Sequence, residues 1–150
     1  PPATLIDKSR MKGVPQHGIG RPCKAGKEEI VGVLTALRLF VEEGDATRHT
    51  RWKHLMDVIA DGLSGINDSE ITRHGFANTS DIPTLDIKLH YASANAGTLV
   101  NALQSGPIPV HVDPMFREQN RIGINPVCLI EEHLPVVVHR IRDAIATQRG

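Results

Sequence analysis

The stretch from Gly18 to Gly32 reads Gly-Ile-Gly-Arg-Pro-Cys-Lys-Ala-Gly-Lys-Glu-Glu-Ile-Val-Gly and puts three cations, Arg21, Lys24 and Lys27, in a glycine-rich loop that runs into an amphipathic helix. Free backbone N–H groups, the positive end of a helix dipole and flexible glycines together suit an anion such as a phosphate. Arg21 is well suited to that role, because a planar guanidinium grips a phosphate at two points. The same pattern also describes an ordinary helix start, and Lys27 and Glu28 fit that reading. A second candidate is His111, in Pro109-Val110-His111-Val112-Asp113. Histidine can bind a carboxylate or act as an acid or base. Its alternation with two valines equally fits a residue facing away from a core.

The remaining polar groups carry less chemistry. The eight histidines form no HExxH or His-x-His pair, so no metal site is expected. Asp57 and Asp61 stand at helical spacing on what reads as an exposed face, and the basic run Arg48 to Lys53 reads as a solvated helix surface. No serine lies in a nucleophile-elbow context. Cys23 and Cys128 lie far apart without CxxC spacing, the pattern of a reduced cytosolic chain with no disulfide.

The elements that must position these groups follow from hydrophobic period. Residues 1 to 26 are rich in glycine and proline and read as a loop, with a turn or two of helix at most between Thr4 and Lys12. From Lys27 the apolar residues Ile30, Val33, Leu34, Leu37 and Val41 recur at helical spacing, with acids in the first turn and Gly44 as the stop. A second helix is predicted from Ala46 to about Leu63, burying Trp52, Leu55, Met56, Ile59 and Leu63. The very short turn between the two suggests a helical hairpin, or helices bent around a body elsewhere. Then the period changes to two. Glu70 to His74 is a short strand candidate, and Leu85, Ile87 and Leu89 alternate with Asp86, Lys88 and His90 in a half-buried strand. Ala94 to Gln104 reads as a helix stopped by Gly106-Pro107. Ile108 to Asp113 and Arg121 to Asn125 read as two strands joined by a loop, and Glu131 or Glu132 to Gln148 as a last helix. The order predicts an α+β fold, a small antiparallel sheet with helices on one face, preceded by the long helical hairpin. The division expected is a connecting loop over 1–26, linking helices over 27–66, and a small α+β domain over 67–150.

The glycine-rich loop resembles the G-R-x-x-K-x-G-K-E-E-I-V-G segment of selenocysteine synthase-like enzymes (relatives of L-seryl-tRNA selenium transferase). These are fold-type I pyridoxal-phosphate enzymes that include aminosugar-acid phosphate ammonia-lyases. The likeness extends over most of the chain: Thr4-Leu-Ile-Asp-Lys-Ser-Arg-Met is similar to the stretch after the family's cofactor-binding strand. Trp52 falls in the following long helix, and Ile108-Pro-Val-His-Val-Asp with Arg121-Ile-Gly-Ile-Asn-Pro resembles the final hairpin. In the family the Schiff-base lysine lies upstream, in a Lys-x-x-x-Gly-Pro-type stretch that is missing before residue 20 here. Lys8, Lys12, Lys24 and Lys27 do not sit in that context.

The resemblance therefore implies the C-terminal domain and connecting loop of a pyridoxal-phosphate-dependent lyase or transferase, with the catalytic lysine in a missing large domain and no catalytic residue in this chain. It implies that Arg21 and Lys24 reach a cofactor or substrate phosphate, often that of a neighbouring subunit in a homo-oligomer. It also places His111 where relatives often present an arginine for the substrate carboxylate. An amino acid or amino sugar acid would be the substrate, undergoing β-elimination or replacement. The opening Pro1-Pro2, without a methionine, fits a fragment or processed chain.

Bulk properties set the outer bounds. A chain of 150 residues with 40% hydrophobic content is long enough for a real core. Seventeen basic residues balance seventeen acidic ones, and aromatics are 3%, so neither a global field nor stacking platforms point to nucleic acid. No apolar run is long enough to span a membrane, and a cytoplasmic location is expected. The alternative reading is a free-standing α+β module that binds a small anionic metabolite or a protein partner without catalysis.

Overall fold

The computed structural model describes residues 25–149. They form an α+β fold of four helices and one three-stranded antiparallel sheet. The chain divides at Glu43/Gly44 into two compact units. The first contains α1 (Lys27–Glu43), which opens on Glu28 and Glu29, acids that complement the helix dipole. Its apolar side chains recur at helical period, yet none is buried; Ile30, Leu34 and Leu37 are each about half exposed or more, at 49%, 59% and 56%.

The second unit begins at Gly44 and holds α2 (Asp45–Gly62), β1 (Ser69–His74), β2 (Thr84–Leu89), α3 (Ala96–Gln104), β3 (Arg121–Ile124) and α4 (Leu134–Arg149). The strands pair in the order β1-β2-β3. Strict alternation along β2 and β3 sends Leu85, Ile87, Leu89, Ile122 and Ile124 to one face, where all are buried. The helices supply the other half of this core: Leu55, Met56, Ile59 and Leu63 from the α2 side, Leu99, Val100 and Leu103 from α3, and Val137, Ile141 and Ile145 from α4. Expected as a linking helix, α2 thus belongs by its buried side chains with the sheet. The opposite face of the sheet carries polar residues, Lys88 exposed and Asp86 and Arg121 half-buried.

Local chemistry explains the boundaries. Asn95 caps α3, its side-chain oxygen accepting from the Thr98 N–H at 2.9 Å. Pro135 sits in the first turn of α4, where its missing N–H has no helical acceptor to lose. A 3-10 turn (Glu131–His133) leads into that helix.

Three expectations change. Ile108 to Asp113 does not form a strand. Pro107 and Pro109 have no N–H to give a ladder, and the segment touches the sheet through one bridge, Asp113 to Gly123. The basic run in α2 is not wholly a solvated surface: Arg48 and His49 are 4% and 6% exposed, Arg48 donating to Asp45 Oδ1 at 2.8 Å and His49 Nε2 lying 2.9 Å from the Gly75 carbonyl. Asp61 stands on an exposed face as expected, its side chain 80% exposed, while Asp57 is half-buried; both form surface ion pairs with Arg73 of β1, at 3.7 and 3.4 Å. Trp52 is only partly buried against the core.

Candidate functional site

The polar face of the sheet carries the chemistry. Alternation puts Asp86 on that face of β2, and the antiparallel register sets Gly123 of β3 opposite it. On the β1 side Asp86 is opposite Thr72 and His74 opposite Thr84, so His74 is a diagonal neighbour of Asp86 on the same surface. His74 Nε2 lies 3.1 Å from Asp86 Oδ2. The diagonal neighbour on the other side is Arg121, which donates from one terminal nitrogen to that same carboxylate oxygen. The Asp86 side chain is only 16% exposed, and it is there with two cationic or potentially cationic neighbours.

Gly123 decides the shape above this carboxylate. The missing side chain lets Asp113 approach the sheet: a Cβ at Gly123 would lie 3.1 Å from the Asp113 Cβ, too tight for Asp113 to stay in place, and 3.7 Å from Asp86 Oδ1. Asp113 is held at the rim by two backbone bonds with Gly123, at 2.8 and 2.9 Å. Its Oδ1 accepts the Met115 N–H at 2.9 Å and starts a tight turn. The chain continues through a 3-10 turn (Arg117–Gln119) to Asn120, a non-glycine residue at positive φ of 55° whose type tolerates that conformation. This return swings Phe116 over Arg121, with the guanidinium carbon 4.9 Å from the ring centre. The result is a cleft of about 360 Å³ bounded by His74, Thr84, Asp86, Asp113, Phe116, Arg121 and Asn125, with Gly123 at its floor. It offers a guanidinium fork, an imidazole, two carboxylates, an amide and an aromatic face in one concave surface.

Arg21 and Lys24, the expected phosphate contacts, lie outside the described residues. His111 is exposed between buried Val110 and Val112 and does not line the cleft. The cleft residues carried no functional weight in the sequence, although two faint signals were there. Asp86 occupied a polar position in an alternating strand, and Arg121 opened a segment likened to the family's final hairpin. What joins them is the cross-strand register, which alternation does not specify. Among the described residues no group of three or more His, Cys, Asp or Glu side chains is placed to hold a metal ion, and Cys128 is exposed. No helix among them is long and apolar enough to cross a membrane.

No protein-family model matches the chain, and no curated protein matches it by sequence. Among solved structures there is a likeness. The fold is shared with a structure of D-glucosaminate-6-phosphate ammonia-lyase. The two superpose with a TM-score of 0.69 over 91% of this chain, at 19% identity. This chain spans 36% of the length of that one. Identity this low shows the common fold alone.

Proposed function

We propose that this chain is the C-terminal domain of a pyridoxal-phosphate-dependent lyase or transferase of the selenocysteine synthase-like kind. Its substrate would be an amino acid or amino sugar acid, and its reaction elimination or replacement of a β-substituent. The observation that carries the reading is the shared fold: nearly the whole chain superposes on about a third of an ammonia-lyase that acts on an amino sugar acid phosphate. The Gly18 to Gly32 loop supports it independently, because its residues resemble the family segment near the cofactor phosphate. In this reading the enzyme is a cytoplasmic homo-oligomer, and this domain partners the large cofactor-binding domain.

The described residues do not form a complete cofactor site. Pyridoxal phosphate needs a lysine to hold it, and no lysine lines the cleft. When bound, the cofactor supplies the electron sink that elimination requires. The contribution assigned to this chain is binding: Arg21 and Lys24 toward a phosphate, and the cleft toward the substrate.

The coding sequence continuous with Pro1 and the near-visible absorbance of the product test the reading together. An upstream large domain containing the lysine is expected, with bound-cofactor absorbance in the longer protein and none in the 150-residue chain mixed with the cofactor. In the longer protein Arg21→Ala should weaken cofactor retention about tenfold, the scale of one lost charged hydrogen bond. Strong cofactor absorbance on the 150-residue chain would overturn the assignment of the lysine to another domain.

A further inference from the structure

We propose that the free edge of β1 pairs with the β1 edge of a second copy of this chain, joining two three-stranded sheets into one of six strands. The inference deepens the homo-oligomer of the lyase reading and rests on it for the dimer's place in an enzyme. The pairing itself rests on the strand.

β1 is the outer strand of the order β1-β2-β3, so one of its sides meets no other strand. The ladder settles which backbone groups face that side. His90 donates to the Asp68 carbonyl at 2.8 Å, whereas Leu89, opposite Ser69, donates to Asn120 at 2.9 Å. Bonded and non-bonded pairs alternate in an antiparallel ladder. Glu70 and Thr72 therefore turn their N–H and C=O groups to β2, and Ser69, Ile71 and Arg73 turn theirs outward. Among the described residues nothing bonds to these outward groups. The free run is bounded at each end: the Ile66 carbonyl accepts from Ser69 Oγ at 2.8 Å, and the Gly75 carbonyl lies 2.9 Å from His49 Nε2.

The strand also lacks the devices that keep edges apart. It contains no proline, lysine or bulge, and Glu70, Thr72, Arg73 and His74 are exposed. The Arg73 side chain is drawn toward Asp57 and Asp61 of α2, at 3.4 and 3.7 Å. A groove of about 310 Å³ lies beside the same edge, lined by Ser69, Ile71 and Arg73 with Ala60, Leu63 and Ile66.

A second copy fits because the edge is self-complementary. A two-fold axis perpendicular to the sheet, passing between two Thr72 residues, keeps the polar faces of both sheets on one side. It sets Glu70 opposite His74 of the second copy, a carboxylate against an imidazole of which only Nε2 is taken, by Asp86. On the other face it sets Ile71 opposite Arg73, both with outward N–H and C=O groups. A strand from an unrelated protein would need only the backbone groups; the match of Glu70 to His74 selects a second copy. Six residues of strand are short against the roughly 1,200 Å² of a specific interface, so the dimer is weak and concentration-dependent.

NMR of the isotope-labelled 150-residue chain on a dilution series tests this, with sedimentation equilibrium for the mass. Dimer mass at high concentration should come with shifts at the N–H groups of Ser69, Ile71 and Arg73, and smaller ones at Glu70 and Thr72. A mixture of labelled and unlabelled chains should show an intermolecular Hα–Hα contact between two Thr72 residues. Arg73→Pro removes one outward N–H per copy and leaves the β2 ladder its donors. It should raise the dissociation constant at least about tenfold, with cooperative urea unfolding retained. Glu70→Lys removes two cross-strand pairs per dimer and should also raise it about tenfold. That variant carries the test if Arg73→Pro does not fold. A monomer at every concentration, a dimer without the Thr72 contact, or a dimer undiminished in the folded variants overturns the proposal. Each of these results leaves cofactor retention by the longer protein untouched, so the lyase reading stands or falls separately.

Discussion

One oxygen of Asp86 serves two partners, Arg121 and His74, in a position only 16% exposed to solvent. Removing that carboxylate strands a partly buried guanidinium. Asp86→Ala should therefore destabilise the chain by about 1–3 kcal/mol, read as a lower urea midpoint at unchanged slope. An unaltered midpoint would mean that solvent replaces the carboxylate without loss. Tyr91 provides a pH readout elsewhere. Burial raises its phenol above the ordinary 10.0, against the opposing pull of the Arg149 guanidinium. The folded state thus favours the protonated phenol. Its contribution is complete below pH 10 and is lost as pH climbs through the raised folded value. Tyr91→Phe should flatten that alkaline limb of the stability curve, which thermal unfolding at a series of pH values above 9 would show. Neither residue announces itself in the sequence. Asp86 is one polar position of an alternating strand, and Tyr91 stands after it with no motif, because the partners of each come from sequence-distant elements.

Helix packing in the second unit is close where Gly62 of α2 meets α4. A Cβ on Gly62 would fall 2.8 and 2.9 Å from the two methyl carbons of Val138, closer than any real packing allows. Gly62→Ala should cost about 1–3 kcal/mol by overpacking, and most of that cost should vanish in a Val138→Ala background. Equal costs in both backgrounds would separate the two positions energetically. Arginines of α4 then secure the junction: Arg142 donates to the carbonyls of Gly62 and Ser64, both at 2.6 Å, and Arg140 to those of Ala102 and Leu103 at 3.0 and 3.3 Å. These cations bind carbonyls at and just beyond the C-terminal end of α2 and in the last turn of α3. The periods of the four helices and of all three strands could be read along the chain. The expected strand at Ile108 to Asp113 could not be told from an extended segment by alternation alone. Val110 and Val112 are buried as a strand's would be, but prolines at 107 and 109 leave too few N–H groups for a ladder.

At the scale of the molecule, the core of the second unit is built from residues between Leu55 and Ile145. A chain beginning at Gly44 holds that whole core and should unfold cooperatively by itself, read by urea titration. A collapse of cooperative unfolding on this truncation would show that the second unit depends on what precedes it. Composition and period were enough to fix the α+β class and, apart from Ile108 to Asp113, the approximate places of the helices and strands, since these depend on neighbours three or four residues apart along a helix, or two along a strand. The cleft was different. Arg121, Asp86, His74 and Asp113 converge only because antiparallel pairing sets Gly123 against Asp86 and a tight turn returns Phe116 over the guanidinium. Register and loop return are long-range choices made by the packing of the whole core, and the sequence holds no local signal for them.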